Sequence, residues 1–222
     1  EGRFPLIVFS HGVDGHPAKR SLYARAKIES ERVLRELHRE RKLPVVIVRP
    51  AVVVGRGGLL SHGGLGIWPS PTRCIGRGRG DSPIPFVLVR DVVHALVASM
   101  EAPGVDGMAF NLAGDVRFSA RDFVGLIAER TCRDFRFAPK RLVVHQVAEI
   151  VKWAVKAAGR KKENPFPSWR DLSSRTLVRQ IDCRLAKRHL GWLPTNDVDS
   201  FLDQAIGPHV LPMAPGDLRA AP

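Results

Sequence analysis

Only one tyrosine, Tyr23, occurs in the 222 residues of this chain, and acidic residues are scarce. Asp and Glu number 22 against 35 Lys and Arg, which leaves a formal net charge of +13, carried mostly by arginine. Such a surplus suits a nucleic acid, a membrane surface or an anionic small molecule as partner. Spread over solvated faces, it is also the plain result of an arginine-rich composition. No recognisable binding motif or aromatic platform accompanies the charge, so specific nucleic-acid recognition is not expected. Cysteine is sparse too. Cys74, Cys132 and Cys183 are odd in number, far apart and form no C-x-x-C pair. This argues against a disulfide framework or a zinc site and fits a reducing, cytoplasmic setting. His11 and His16 have no acidic or cysteine partner at ligand spacing, so no metal is expected. No apolar run approaches the ~20 residues of a transmembrane segment. A Ser-His-Asp hydrolase built on Ser10, His11 or His16 and Asp14 is disfavoured: Phe9-Ser10-His11-Gly12 lacks the glycine that opens a G-x-S-x-G turn.

What is present starts with a short apolar run, Leu6 to Phe9, rich in β-branched and aromatic residues. It reads as a buried parallel strand. Ser10 stands at its carboxyl end, where open α/β sheets bind ligands. Then comes Ser21-Leu-Tyr23-Ala-Arg-Ala-Lys27, opening a helix that continues to about Glu40. Residues i and i+4 of a helix share a face. An ammonium beside a phenol favours phenolate and lowers the tyrosine pKa, which suits proton transfer near neutral pH. A second buried strand follows in Leu43 to Gly55, so polar groups collect at strand ends in the order strand, Ser, loop, helix, strand, Arg-Pro.

With these residues in place the chain resembles the extended short-chain dehydrogenase/reductase superfamily, in its NAD-dependent epimerase/dehydratase family. Ser10, Tyr23 and Lys27 match the family's catalytic Ser, Tyr and Lys. Arg49-Pro-Ala-Val-Val-Val-Gly55 is similar to its R-P-x-x-V-Y-G segment. Pro85-Phe-Val-Leu-Val-Arg-Asp91 resembles F-V-x-V-x-D, Ala109-Phe-Asn-Leu-Ala-Gly114 resembles Y-N-L-G, and Asp182 to Pro194 resembles D-x-x-K-A-x-x-x-L-G-W-x-P. The resemblance implies NAD or NADP as cofactor, a small-molecule substrate and a homodimer. It implies hydride transfer at a hydroxyl or carbonyl carbon, as in an oxidoreductase, epimerase or dehydratase. Tyr23 would move the hydroxyl proton, Lys27 would lower the Tyr23 pKa and bond the nicotinamide ribose, and Ser10 would hold the substrate oxygen. Pro50, Ala51 and Val53 would pack near the nicotinamide and Val52 would face substrate; from the residues themselves, Arg77 and Arg79, with Arg73, suit a grip on a substrate phosphate or pyrophosphate and equally read as exposed loop arginines. Val52 stands where many nucleotide-sugar members carry Asn, and Ile84 near where several carry Arg. Both changes remove polar contacts, so a nucleotide sugar competes with an apolar alcohol or ketone as substrate. A non-catalytic binding or assembly protein that keeps the fold is the rival reading.

The resemblance also exposes a gap. A dinucleotide-binding half begins with strand, G-x-G-x-x-G turn and helix. The glycines of 55–58, 63–66 and 76–80 open no clear amphipathic helix and read as loop. The chain is therefore expected to be the C-terminal part of a longer protein. The expected fold class is α/β: a partial doubly wound, Rossmann-like parallel sheet with a smaller, mostly helical C-terminal substrate lobe. Residues 1–58 would be the back half of the NAD(P)-binding domain and 59–84 a substrate-covering loop region. Helix and strand at 85–115 would return to the sheet, 116–212 would form the lobe, and 213–222 a tail. Helices are expected at Asp91–Glu101, with Val92, Val93, Leu96 and Val97 on one side, and after Ser119, which with Asp122 gives a capping-box-like start.

Overall fold

A computed structural model describes residues 6–9, 22–158, 166, 167, 169, 172 and 180–210, with backbone alone at 6–9, 22–24 and 158. The apolar runs read as strands form a parallel three-stranded sheet in the order β1 (Leu6–Phe9), β2 (Val45–Pro50), β8 (Ala109–Leu112). Val45 to Val48 are all buried, as a strand covered on both faces requires. Helix α1 (Leu22–Arg41) links β1 to β2 as a parallel crossover. Its last turn carries His38, Arg39 and Arg41, which complement the negative end of the helix dipole.

At Ala51 the chain passes from one sheet to another. The Ala51 N–H still donates to the Leu112 carbonyl at 2.8 Å, while the Val52 N–H donates to Pro85 at 3.0 Å. From there β3 (Val52–Val54) pairs in parallel with β7 (Phe86–Leu88), which runs directly into α2 (Val89–Glu101). The apolar side of α2 differs from the expected one. Val92 and Ala95 are buried, but Val93 and Val97 are each 47% exposed. Ser99 takes the third inward place, its hydroxyl donating to the Ala95 carbonyl at 2.6 Å.

The stretch 59–84, read as loop, contains strands. Between β3 and β7 lie β4 (Ile67–Ser70), β5 (Arg73–Arg77) and β6 (Pro83–Ile84). β5 pairs antiparallel with β4 and in parallel with β10 (Arg136–Lys140), and β6 pairs with β9 (Phe118–Ser119). A side chain at Gly76 or Gly80 would place its Cβ 2.1 or 2.2 Å from Cζ of Phe137. These glycines are therefore the seat of a ring supplied sixty residues later, a long-range reason that composition does not reveal. Ser119 caps α3 (Ala120–Thr131) as expected: its Oγ accepts from the Asp122 N–H at 3.1 Å and donates to the Asp122 carboxylate at 2.7 Å.

After β10 come α4 (Leu142–Ala158), α5 (Arg184–Leu190) and α6 (Val198–Ala205). Two buried clusters hold the whole together. One centres on Phe86, Phe123 and Phe201, with the Phe86 and Phe123 ring centroids 4.6 Å apart. The other packs Val46, Val48 and Phe110 against Val92, Ala186 and Trp192. Each fully buried aromatic or branched side chain contributes about 1.5–3 kcal/mol of transfer free energy.

Candidate active site

The carboxyl ends of β2 and β3 organise the site. Arg49, near the end of β2, reaches across to Glu31 on α1, its Nε donating to Oε1 at 2.9 Å and its Nη2 to the other carboxylate oxygen. The pair is mostly shielded, with side chains 28% and 12% exposed. It fixes the rotation of α1 about its axis, because a half-buried guanidinium–carboxylate fork tolerates little misalignment. Glu31, Lys27 and position 23 follow one another at intervals of four and so share one face of that helix. Lys27 is half-buried. Tyr23 lies in the first turn of α1, with its side chain outside the described residues, and Ser10 lies outside them altogether. Pro50 is buried and Ala51 and Val53 half-buried at the sheet's carboxyl end.

A second group surrounds a cavity of about 480 Å³. Val52, Arg77 and Arg79, all expected to face substrate, line it together. Leu65, Ile84 and Leu142 add apolar surface. The arginine loop is braced from both sides. Arg77 Nη1 donates to the Gly63 carbonyl at 2.8 Å, and Arg121 of α3 donates to the Arg79 carbonyl at 2.9 Å while pairing with Asp81 at 3.1 Å. Leu65, Leu142 and Arg121 escaped the sequence reading, since only the β5–β10 and β6–β9 pairings bring their segments together.

The motifs around Asp91 and Trp192 prove to be one structural unit. Asp91 is 4% exposed. Its carboxylate accepts from the Thr195 N–H at 2.9 Å and from the Thr195 hydroxyl at 3.2 Å, and its carbonyl accepts from Trp192 Nε1 at 2.7 Å. A buried carboxylate must be satisfied in this way to be tolerated. The tryptophan of Leu190-Gly-Trp-Leu-Pro194 thus serves packing and anchorage at the start of α2, not substrate recognition.

At the carboxyl end of β8 a polar cavity of about 420 Å³ is lined by Asp115, Arg117, Asp182, Cys183, Arg184 and Lys187. Arg184 hydrogen-bonds to Asp182 through side chain and backbone and holds that carboxyl down at about 2. Burial pushes the Cys183 thiol up, so at neutral pH it is no nucleophile. Among the described residues no group of three or more His, Cys, Asp or Glu side chains is placed to hold a metal ion.

No curated protein matches the chain in sequence. Among solved structures it is similar to RMD from Pseudomonas aeruginosa complexed with NADPH, at TM-score 0.60 and 15% identity, covering 92% of this chain and 65% of that one. It is similar to UDP-glucose 4-epimerase from Thermotoga maritima with UDP-glucose, at TM-score 0.60 and 21% identity, covering 91% and 62%. UDP-glucuronic acid 4-epimerase from Bacillus cereus in complex with NAD gives TM-score 0.62 and 16% identity, covering 91% and 60%. The chain therefore spans less than two thirds of the length of these structures. At such identities the likeness establishes the Rossmann-like fold. Residues 10–113 match the family model described as NAD dependent epimerase/dehydratase family, and that segment of the chain is similar to this family.

Proposed function

We propose that this protein carries out NAD(P)-dependent hydride transfer at a hydroxyl or carbonyl carbon, with Ser10, Tyr23 and Lys27 as its acid–base group. The observation that carries the reading is the setting of α1. Its rotation is fixed by Glu31 and Arg49 at the mouth of a parallel sheet, and Lys27 and position 23 lie one and two helical intervals further out on the same face. In this reading Lys27 keeps the Tyr23 phenol acidic enough to exchange a proton, and Ser10 holds the substrate oxygen in hydrogen-bonding range. Pro50, Ala51 and Val53 form a close apolar wall that suits a flat nicotinamide ring. Bound there, the dinucleotide supplies the hydride chemistry itself. The residues fit the nicotinamide end. Among the described residues no strand–glycine turn–helix unit is present to cradle a pyrophosphate.

The 480 Å³ cavity takes the substrate in this reading. Its floor of Val52, Leu65, Ile84 and Leu142 favours an alcohol or ketone with an apolar body. A nucleotide sugar is the second reading, favoured by Arg77 and Arg79 on the same cavity, since guanidinium groups recognise phosphate oxygens well. A homodimer and a cytoplasmic location belong to the same proposal.

The test compares wild type with Tyr23→Phe, expressed from the whole reading frame, in NAD(P)H oxidation against a panel of ketones and in epimer formation from nucleotide sugars. Loss of the phenol is expected to lower the rate by about 10²–10⁴-fold. Equal activity would remove Tyr23 from its role. Absence of turnover in both, with dinucleotide binding absent as well, would favour a binding or assembly protein.

A further inference from the structure

Helix α4 presents its apolar side outward. At 100° per residue, Val143, Val144, Val147, Ala148, Val151, Ala154 and Val155 fall within one arc of about 140°. On that arc Val143 is 59% exposed, Val147 54%, Val151 56% and Val155 69%. The opposite side is anchored to the protein. His145 is buried with Nε2 2.9 Å from the Gly76 carbonyl oxygen, Gln146 Nε2 donates to the Pro167 carbonyl at 2.8 Å, and the Trp153 ring meets Phe166 edge-on at 5.2 Å. The helix is therefore held with its valines facing out, the reverse of an ordinary surface helix.

The cations gather on one edge and at the start: Lys152 lies about 40° beyond the arc, with Lys156 about 40° further round on the same side, Lys140 and Arg141 precede the helix, and Glu149 is the only carboxylate on α4, paired with Lys152 at 2.9 Å. We propose that α4 docks this face on an anionic lipid bilayer, its axis lying in the plane of the interface. A valine stripe entering the acyl boundary with lysines reaching back to the headgroups is the form such helices take. At 17 residues α4 lies on the membrane and does not span it, and no helix among the described residues is long and apolar enough to cross. A second copy of this chain is the poorer occupant. A two-fold contact would bring the two cationic borders together on molecules that each carry +13.

The test is co-sedimentation of the full chain with vesicles of phosphatidylcholine and phosphatidylglycerol, and with phosphatidylcholine alone, in low and high salt. Uptake by the anionic vesicles is expected, weaker in high salt and weaker still on neutral ones. V147E/V151E is expected to lower the partition coefficient about tenfold or more with an unchanged melting midpoint, since both positions are exposed. K152Q/K156Q leaves the apolar arc intact and is expected to cut the preference for anionic over neutral vesicles about tenfold. Parent-like uptake of V147E/V151E, or no uptake by the parent, would overturn the proposal. So would a soluble dimer that V147E/V151E dissociates without any vesicle binding. None of these readouts depends on turnover, so docking and catalysis succeed or fail separately.

Discussion

At the scale of single residues, Asp91 shows how much one buried carboxylate can decide. It has two side-chain partners on Thr195 and a third contact through its carbonyl, all from a segment a hundred residues away. Asp91→Ala would leave the Thr195 N–H without its acceptor and is expected to cost about 2–4 kcal/mol in urea unfolding, whereas Asp91→Asn keeps one acceptor and should cost roughly half as much. The cysteines make a second residue-scale prediction. Cys132 is exposed, while Cys74 and Cys183 are buried. A thiol-specific reagent should label one site quickly in the native protein and all three after unfolding. Burial pushes Cys74 up to about 11 from an ordinary value of 9. The folded pKa is raised, so its contribution to stability is intact below 9 and is lost as pH rises through about 11. Melting midpoints should fall across that window, and Cys74→Ser, whose hydroxyl does not titrate there, should flatten the fall. The sequence made Asp91 visible as part of a signature but not as one half of a contact. The other half, Thr195, carries no local mark, because its role exists only once α2 and the segment after α5 meet.

At the scale of elements, the strands at 6–9, 45–50 and 109–112 and the helices α1 and α3 could be read from apolar runs and caps, because their causes are local. Ser119→Ala should cost about 0.5–2 kcal/mol, read as a lowered urea midpoint with an unchanged slope. The pairing of β4, β5 and β10 into a small sheet could not be read, because its causes lie across the chain. Gly76 and Gly80 look like loop formers until Phe137 is placed against them. Gly76→Ala is expected to destabilise by about 1–3 kcal/mol through overpacking, and Phe137→Ala by about 3–5 kcal/mol through a cavity. The double variant should lose less than the sum, since removing the ring removes the clash. Additive losses would mean that the two residues do not act on each other. The error on α2 has a similar origin. A row of valines signals an apolar helix, but which side turns inward is set by the sheet beneath it, and Val93 and Val97 stayed outside.

For the whole molecule, the parallel sheet brings to one end residues that the sequence scatters. Arg49, Pro50, Ala51 and Val52 lie in succession, yet they serve two sheets, with Pro50 ending β2 and Val52 opening β3 beside the cavity. The cofactor side and the substrate side of the proposed site are thus successive residues of one segment. This much of the site was legible, since strand ends in open α/β sheets are where ligands sit. The cavity wall from Leu65 and Leu142 was not, because each lies far from Val52 in sequence. The excess of positive charge acts at this scale too. Retention on a phosphate-rich polymer is expected to fall steeply with salt and to show no preference between sequences. A salt-resistant or sequence-selective complex would contradict the reading of that charge as generic.

The tie between Asp91 and Thr195 also bears on the order of events in folding. The carboxylate emerges from the ribosome long before the backbone amide that will satisfy it, and until then it has only water to bond. The sheet side of α2 therefore cannot close over it while synthesis is under way. Final consolidation of this core awaits Thr195 and its neighbours, a step of high contact order that leaves apolar surface open to chaperones in the meantime.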